Sequence, residues 1–321
     1  MPLRQVSSLL LACTLLPFGL RADNPIITDV FTADPAALVY HGTVYLYTGH
    51  DEAPPNQYRY VMSNWLCFSS TDMVHWEQHP SPLAVKDFAW ASKDAWAGQV
   101  IDHAGKFYWY VPMTHGTVHG FSIGVGVSDS PTGPFKDARG SALVISDMTP
   151  NPKNEAGQTV TWDDIDPTVF TDDDGQTYLC WGNTRCYFAK LKPNMTELDG
   201  GITTIEGLPH YTEAPWLHKH NGLYYLSFAA GFPERTAYAT APKITGPWTY
   251  RGVIKELAGN CNTNHHAIIE FKGRSYFIYH NGGTPKGDSF HRSVCIEYLD
   301  YNPDGTIKPV VETQAGVGPA K

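Results

Sequence analysis

The chain has 321 residues, with 23 Lys and Arg against 32 Asp and Glu, a formal net charge of −9. That acidic balance, with no basic cluster, argues against nucleic acid as a partner. About three hundred residues beyond a leader are enough for one large core, and no linker or low-complexity run divides them, so a single domain over 23–321 is expected.

Residues 1–22 carry Arg4, the apolar core Leu9-Leu10-Leu11-Ala12-Cys13-Thr14-Leu15-Leu16 and the ending Arg21-Ala22. This reads as a secretory signal peptide, too short to span a bilayer, and it points to a secreted or periplasmic protein. Leu11-Ala12-Cys13 also offers a lipidation site, but little apolar sequence precedes Cys13. No other stretch is long and apolar enough to be a membrane span.

From Thr32 onward a unit recurs: an acidic or polar residue, a strand, a tight turn and a second strand. Asp34 opens the first copy, with its turn at His41-Gly42 and the strand Thr43-Val44-Tyr45-Leu46-Tyr47. The second runs from Asp94-Ala95-Trp96 through Ala104-Gly105 to Phe107-Tyr108-Trp109-Tyr110-Val111. The third starts at Asp166 and turns at Asp173-Asp174-Gly175, the fourth at Glu213 with Asn221-Gly222, and the fifth at His265-His266 with Lys272-Gly273. Alternating aromatic and β-branched residues around such turns are strand and hairpin signals. A small antiparallel sheet repeating about every fifty residues predicts an all-β, five-bladed β-propeller. Between the copies, Pro131-Thr132-Gly133-Pro134-Phe135 and Pro242-Lys243-Ile244-Thr245-Gly246-Pro247-Trp248 read as structural turns that return a ring to the core.

In a propeller the first strand of every blade lines the central channel, so Asp34, Asp166 and Glu213 are expected to converge on one axial pocket. An Asp-Pro step alone is an ordinary turn, and Asp34-Pro35 and Asp166-Pro167 both fit that reading. Glu213-Ala214-Pro215 does not, because Glu is not a turn former. Three carboxyls in one apolar-walled pocket cannot share a pKa, and that difference supplies an acid and a base together. Inverting hydrolysis of a glycosidic bond needs such a pair, roughly 6.5 to 9.5 Å apart.

The series Thr32-Ala33-Asp34-Pro35, Asp164-Ile165-Asp166-Pro167, Thr212-Glu213-Ala214-Pro215 and Asn264-His265-His266-Ala267 resembles glycoside hydrolase family 43, whose five-bladed propellers cleave arabinose- and xylose-containing plant polysaccharides. The resemblance implies Asp34 as general base, Asp166 as the residue that tunes the acid and orients the sugar, and Glu213 as general acid. It places His265 or His266 beside an axial calcium ion or water, with no organic cofactor, and Arg292 near the pocket, where a guanidinium fork holds sugar hydroxyls and a carboxylate. Gly98 departs from the family's Trp-Ala-Pro pattern and leaves the second-blade wall undefined.

Several aromatic residues are candidates for sugar contact. Phe31 lies beside the proposed base and is placed to stack on the sugar ring. Trp90 and Trp96 would floor or wall the site, with core packing the alternative for Trp96. His50-Asp51 reads as a polar turn or rim, and Asp172-Asp173-Asp174-Gly175 as a hairpin turn. Cys67, Cys180, Cys186, Cys261 and Cys295 have no metal-ligand spacing, and no disulfide framework is expected, although Cys180 and Cys186 lie close enough in sequence to bridge a hairpin.

The expected activity is release of arabinofuranose, with xylose second, from arabinoxylan or arabinan. The alternatives are an endo- or exo-arabinanase of the same family and a non-catalytic glycan-binding propeller.

Overall fold

A computed structural model describes residues 21–150, 153, 157 and 159–321. The leader reading and Cys13 fall on residues 1–20, outside the described residues. The rest of the chain forms five antiparallel sheets, the five-bladed all-β propeller expected from the repeats.

The first blade is built from Thr32–Tyr40, Thr43–His50, Asn64–Ser70 and Glu77–Gln78. In the second, Gln99–His103 pairs with Lys106–His115, followed by Phe121–Ser128 and Lys136–Asp137. The third runs Thr168–Thr171, Thr177–Trp181, Tyr187–Leu191 and Thr203–Thr204. The fourth runs Tyr211–His220, Leu223–Ala230, Arg235–Ala241 and Thr249–Lys255. Among the described residues the fifth has three strands, His266–Phe271, Arg274–Asn281 and Ser293–Leu299.

The turn chemistry explains the blades. His41-Gly42 and Asn221-Gly222 both have φ positive at each residue, the geometry whose twist suits a two-residue hairpin. Asp172–Gly175 closes its hairpin with a backbone bond from Gly175 N–H to Asp172 O, so that stretch is the turn its sequence suggests. Large rings fill the space between sheets: Trp65, Trp109 and Trp181 are almost fully buried, and Phe135 meets the edge of Trp109 at 5.2 Å.

The ring closes through the N-terminal segment. Ile26 N–H donates to Val294 O, the Asn24 side chain bonds both the N–H and the carbonyl of Ile296, and Thr32 N–H donates to Arg292 O. Ala22, the expected last residue of the leader, is itself buried and donates its N–H to Val317 O. Termini tied together in this way lock first and last blades, which holds the carboxyls of different blades in fixed relation. The C-terminal segment is also pinned, since Lys255 Nζ lies 3.0 Å from Glu312 Oε2.

Candidate active site

A cavity of about 910 Å³ opens on the axis, and Asp34, Asp166 and Glu213 all line it. Asp34 and Glu213 stand where the inner strand is irregular, and Asp166 lies just before its strand. The pairing of the first two strands slips between Ala33 and Ala36, and that of the fourth blade slips between Glu213 and Trp216. Such bulges re-aim a side chain, and Pro35 and Pro215 sit in them where no ladder N–H is needed. Asp34, Asp166 and Ala214 have φ of 50°, 57° and 53°, a left-handed backbone that costs an L-residue roughly 1–2 kcal/mol. Three repeats sharing that strain points to function rather than folding.

Asp34 is held from two sides. Its Oδ1 is 2.8 Å from Arg292 Nη1, and its backbone N–H donates to His280 Nδ1 at 3.1 Å. Burial keeps His280 neutral, so its Nε2–H faces Thr263 O at 3.2 Å and its Nδ1 accepts. Arg292 is fixed in turn by Asp51: Nε and Nη2 each lie 2.9 Å from a different carboxylate oxygen, and Arg292 N–H donates to Oδ2 as well. The guanidinium also covers the Tyr60 ring at 4.7 Å. Burial raises the Asp34 pKa, with Arg292 pulling it down; the net shift is upward, which strengthens it as a base.

Glu213 is shifted upward as well, without a guanidinium to oppose the shift. Burial, and next the charge of Asp166, push its pKa up to about 8, so it holds its proton at neutral pH. Asn183 Nδ2 donates to Glu213 Oε2 at 2.6 Å and orients the carboxyl. Asp166 Oδ2 accepts the Ala214 N–H at 3.1 Å and lies 3.6 Å from His265 Nδ1. Burial works against protonation of His265, but Asp166 outweighs it and the net shift is upward. Glu234, another buried carboxyl on the wall, accepts the Asn264 N–H at 2.7 Å, and burial followed by Glu213 raises its pKa strongly.

The structure sorts the remaining candidates. Trp96 and Arg292 line the cavity, Trp96 lying between Tyr60 and Phe121. Phe31 and Trp90 do not: Phe31 meets His291 at 5.0 Å, and Trp90 packs on Phe88 and His115 in the second blade. His265 is the one histidine among the described residues that lines the cavity. His266 is fully buried, bonded to Ser227 Oγ at 2.6 Å and stacked on Phe277, so it faces away from the axis. Successive residues at the start of a strand point to opposite faces, and only one of the pair can look into the channel. Asp94, at the head of the second repeat, bonds Thr114 Oγ1 and Lys93 instead of facing the cavity. Gly98 packs where a Cβ would collide with the Tyr110 carbonyl oxygen, so this wall is set by a close backbone approach.

Sequence reasoning missed Asn183, Glu234, His280 and Tyr60, and read Asp51 as a polar turn or rim. Asp51 is 4% exposed and sits directly under the guanidinium. A carboxylate just past a strand, matched to a buried arginine 241 residues away, left only the pattern of a loop in the sequence. The five described cysteines are free thiols, and the Cys180 and Cys186 sulfurs are 3.2 Å apart. Among the described residues no three His, Cys, Asp or Glu side chains converge to hold a metal ion, and no helix is long and apolar enough to cross a membrane.

Comparisons with known proteins show the family and the fold. The family model for glycosyl hydrolases family 43 matches residues 22–307. Xylosidase/arabinosidase 43A of Humicola insolens is 32% identical over 338 residues, covering 88% of this chain and 98% of the relative. An α-L-arabinofuranosidase structure from Clostridium thermocellum is 36% identical with a TM-score of 0.72, covering 91% of this chain and 98% of that one. A β-xylosidase/α-arabinofuranosidase from a compost microbial metagenome, solved with xylotriose in a calcium-free form, is 30% identical with a TM-score of 0.79, covering 92% and 100%. With its propeller and its three carboxyls in one cavity, the chain belongs to glycosyl hydrolases family 43 and is a glycoside hydrolase.

Proposed function

We propose that the enzyme is an inverting glycosidase that releases arabinofuranose from arabinoxylan or arabinan, with β-xylosidase activity second. The observation that carries this reading is the different surroundings of two carboxyls in one cavity. Asp34 lies against a permanently charged guanidinium, and Glu213 keeps its proton to about pH 8.

Asp34 takes a proton from water as that water attacks the anomeric carbon. Glu213 gives its proton to the departing glycosidic oxygen, and the carbon inverts in a single displacement. Asp166 stays off the reaction coordinate: anchored by the Ala214 N–H, it adds its charge to the burial that keeps Glu213 protonated, and it faces the sugar hydroxyls together with the cavity wall. Arg292 steadies the Asp34 carboxylate in the orientation that accepts a proton.

Arabinose is favoured by the surroundings. The sugar pocket opens beneath a mouth to which Trp162, Phe232 and Phe290 contribute, and a pocket below an open mouth suits a single branch sugar on a polymer backbone. The relatives named for xylosidase and arabinosidase activities support both sugars. The proposed leader in 1–22 would deliver the enzyme to the compartment that contains such polymers.

His265 provides one imidazole on the axis, and the surrounding donor set fits at most a largely hydrated calcium ion, with no protein-built cage among the described residues. Such an ion would supply positive potential near Asp166.

Product analysis on arabinoxylan tests the assignment. Arabinose should appear first, with the main chain intact. Release of xylose alone, with the branches untouched, overturns the sugar preference, and shortening of the backbone to oligomers points to endo action.

A further inference from the structure

The turn that presents Asn183 to Glu213 is flanked by two thiols. Cys180 lies in Thr177–Trp181 and Cys186 immediately before Tyr187–Leu191, so they stand at the two ends of this connection. Their sulfurs are 3.2 Å apart in an apolar cluster with Tyr178, Phe188 and Leu226. The other described cysteines face backbone carbonyls instead: Cys67 that of Phe68, Cys261 that of Thr263 and Cys295 that of Ser293.

The connection is tight, and its contacts converge on the wall that holds the acid. Thr184 has φ of 62°, a left-handed backbone, and a Cβ at Gly182 would collide with the Arg185 carbonyl oxygen. Three successive N–H groups tie the turn to its neighbours: Gly182 donates to Ile165 O at 2.9 Å, Asn183 to Asp163 O at 3.0 Å and Thr184 to Thr212 O at 2.8 Å. Ile165 and Thr212 adjoin Asp166 and Glu213, and Asn183 Nδ2 reaches Glu213 Oε2. Whatever fixes the base of this turn also fixes Asn183 on Glu213.

We propose that Cys180 and Cys186 are a redox modification site, which a small-molecule disulfide such as oxidised glutathione converts to an intramolecular disulfide that clamps the turn carrying Asn183. The sulfurs have about 1 Å left to close before they reach bonding distance. Cys186 is the point of entry: it lines a surface cavity of about 640 Å³ with Thr184, Arg185 and Glu206, whereas Cys180 is fully buried. The Cys186 thiolate attacks one sulfur of the oxidant and displaces the other, which leaves as a thiol with the proton Cys186 gave up. Cys180 then loses its proton, attacks Cys186 Sγ and expels the second thiol. Two protein thiols are oxidised and one small disulfide is reduced to two thiols. Burial, and next the contact with Cys186, pushes the Cys180 thiol up, so it resolves the mixed disulfide and does not initiate the exchange.

The full chain is incubated with oxidised glutathione or with a phosphine reductant, the remaining thiols are alkylated under denaturing conditions, and tryptic peptides are analysed by mass spectrometry. Cleavage after Arg185 separates the two cysteines, so the bridge should appear as two peptides joined through Cys180 and Cys186, with Cys67, Cys261 and Cys295 alkylated. The oxidised enzyme should melt about 4 °C above the reduced one, the effect of closing so short a loop in a chain of this size. Amide exchange at 182–184 should slow by about tenfold on oxidation, with no change at the 231–234 turn between Leu223–Ala230 and Arg235–Ala241. Cys186→Ser and, separately, Cys180→Ala should abolish both differences, and the comparison of oxidised with reduced wild type stands even where a variant fails to fold. Complete alkylation of Cys180 and Cys186 after oxidation, a bridge to another cysteine, or a bridge that leaves exchange at 182–184 unchanged overturns the proposal.

Discussion

Arg292 joins two carboxylates that lie on opposite sides of its guanidinium: Nη1 is 2.8 Å from Asp34 Oδ1, while Nε and Nη2 each lie 2.9 Å from Asp51. Asp51 neutralises the arginine, so Asp34 receives a directed hydrogen bond from a group whose charge is already balanced. A lone buried arginine would hold Asp34 more tightly and weaken it as a base. The clamp therefore sets both the position and the basicity of Asp34.

Asp51→Ala should leave a buried guanidinium with one partner, and losing one member of a buried pair costs about 3–5 kcal/mol. The melting temperature should drop, and kcat should fall through the misplaced Asp34. Thermal denaturation followed by kinetics on an aryl arabinofuranoside checks both; unchanged stability would show that Asp51 is not the anchor the geometry describes.

Asp34→Asn and Glu213→Gln should each lower turnover by roughly 10²- to 10⁴-fold or more, the range for general acid–base groups. Circular dichroism should show the fold intact in both. An aryl leaving group that departs without protonation should recover part of the loss in the Glu213 variant and none in the Asp34 variant. Near-normal activity in Asp34→Asn would remove the proposed base.

The pH profile follows from Glu213. Its raised pKa places the basic limb of kcat near pH 8, above which the acid has no proton to give. The hydrogen bond from Asn183 favours the ionised form, so Asn183→Ala should shift that limb to higher pH while lowering kcat at the optimum. A limb that stays in place would separate it from Glu213.

The same shift affects stability. A carboxyl whose folded pKa lies above its unfolded value binds its proton more tightly when folded, so folding stability falls as pH rises from about 4.5 towards 8. Glu213→Gln removes this dependence. The variant should therefore melt roughly 3 °C higher than wild type at pH 8, with the gap closing at pH 4. Differential scanning calorimetry at the two pH values decides it.

Removal of metal should have a modest effect. With His265 as the one imidazole among the described residues that lines the cavity, EDTA should lower kcat by no more than about fivefold, and any loss should be restored by calcium. Zinc bound tightly by several side chains would contradict this donor set.

The residues themselves determined the architecture, because the signals that build a blade are local. The turn at His41-Gly42 and its counterparts, the alternation of strand residues, and a proline just after an acid at Asp34 and Asp166 are all read within a few residues of one another. Their repetition was enough to place Asp34, Asp166 and Glu213 on one axis. Tertiary structure alone decided the partners that give those carboxyls their chemistry. Arg292 meets Asp34 across 258 positions, Asn183 reaches Glu213 from the preceding blade, and His280 lies beneath Asp34 from the last one. Likewise, the half-turn between neighbouring strand residues sent His265 to the cavity and His266 into the core, and sheet packing drew Phe31 and Trp90 away from it. Strands form from neighbours in sequence, but a pKa is set by whatever closing the ring brings within a few ångströms, and no local pattern records that.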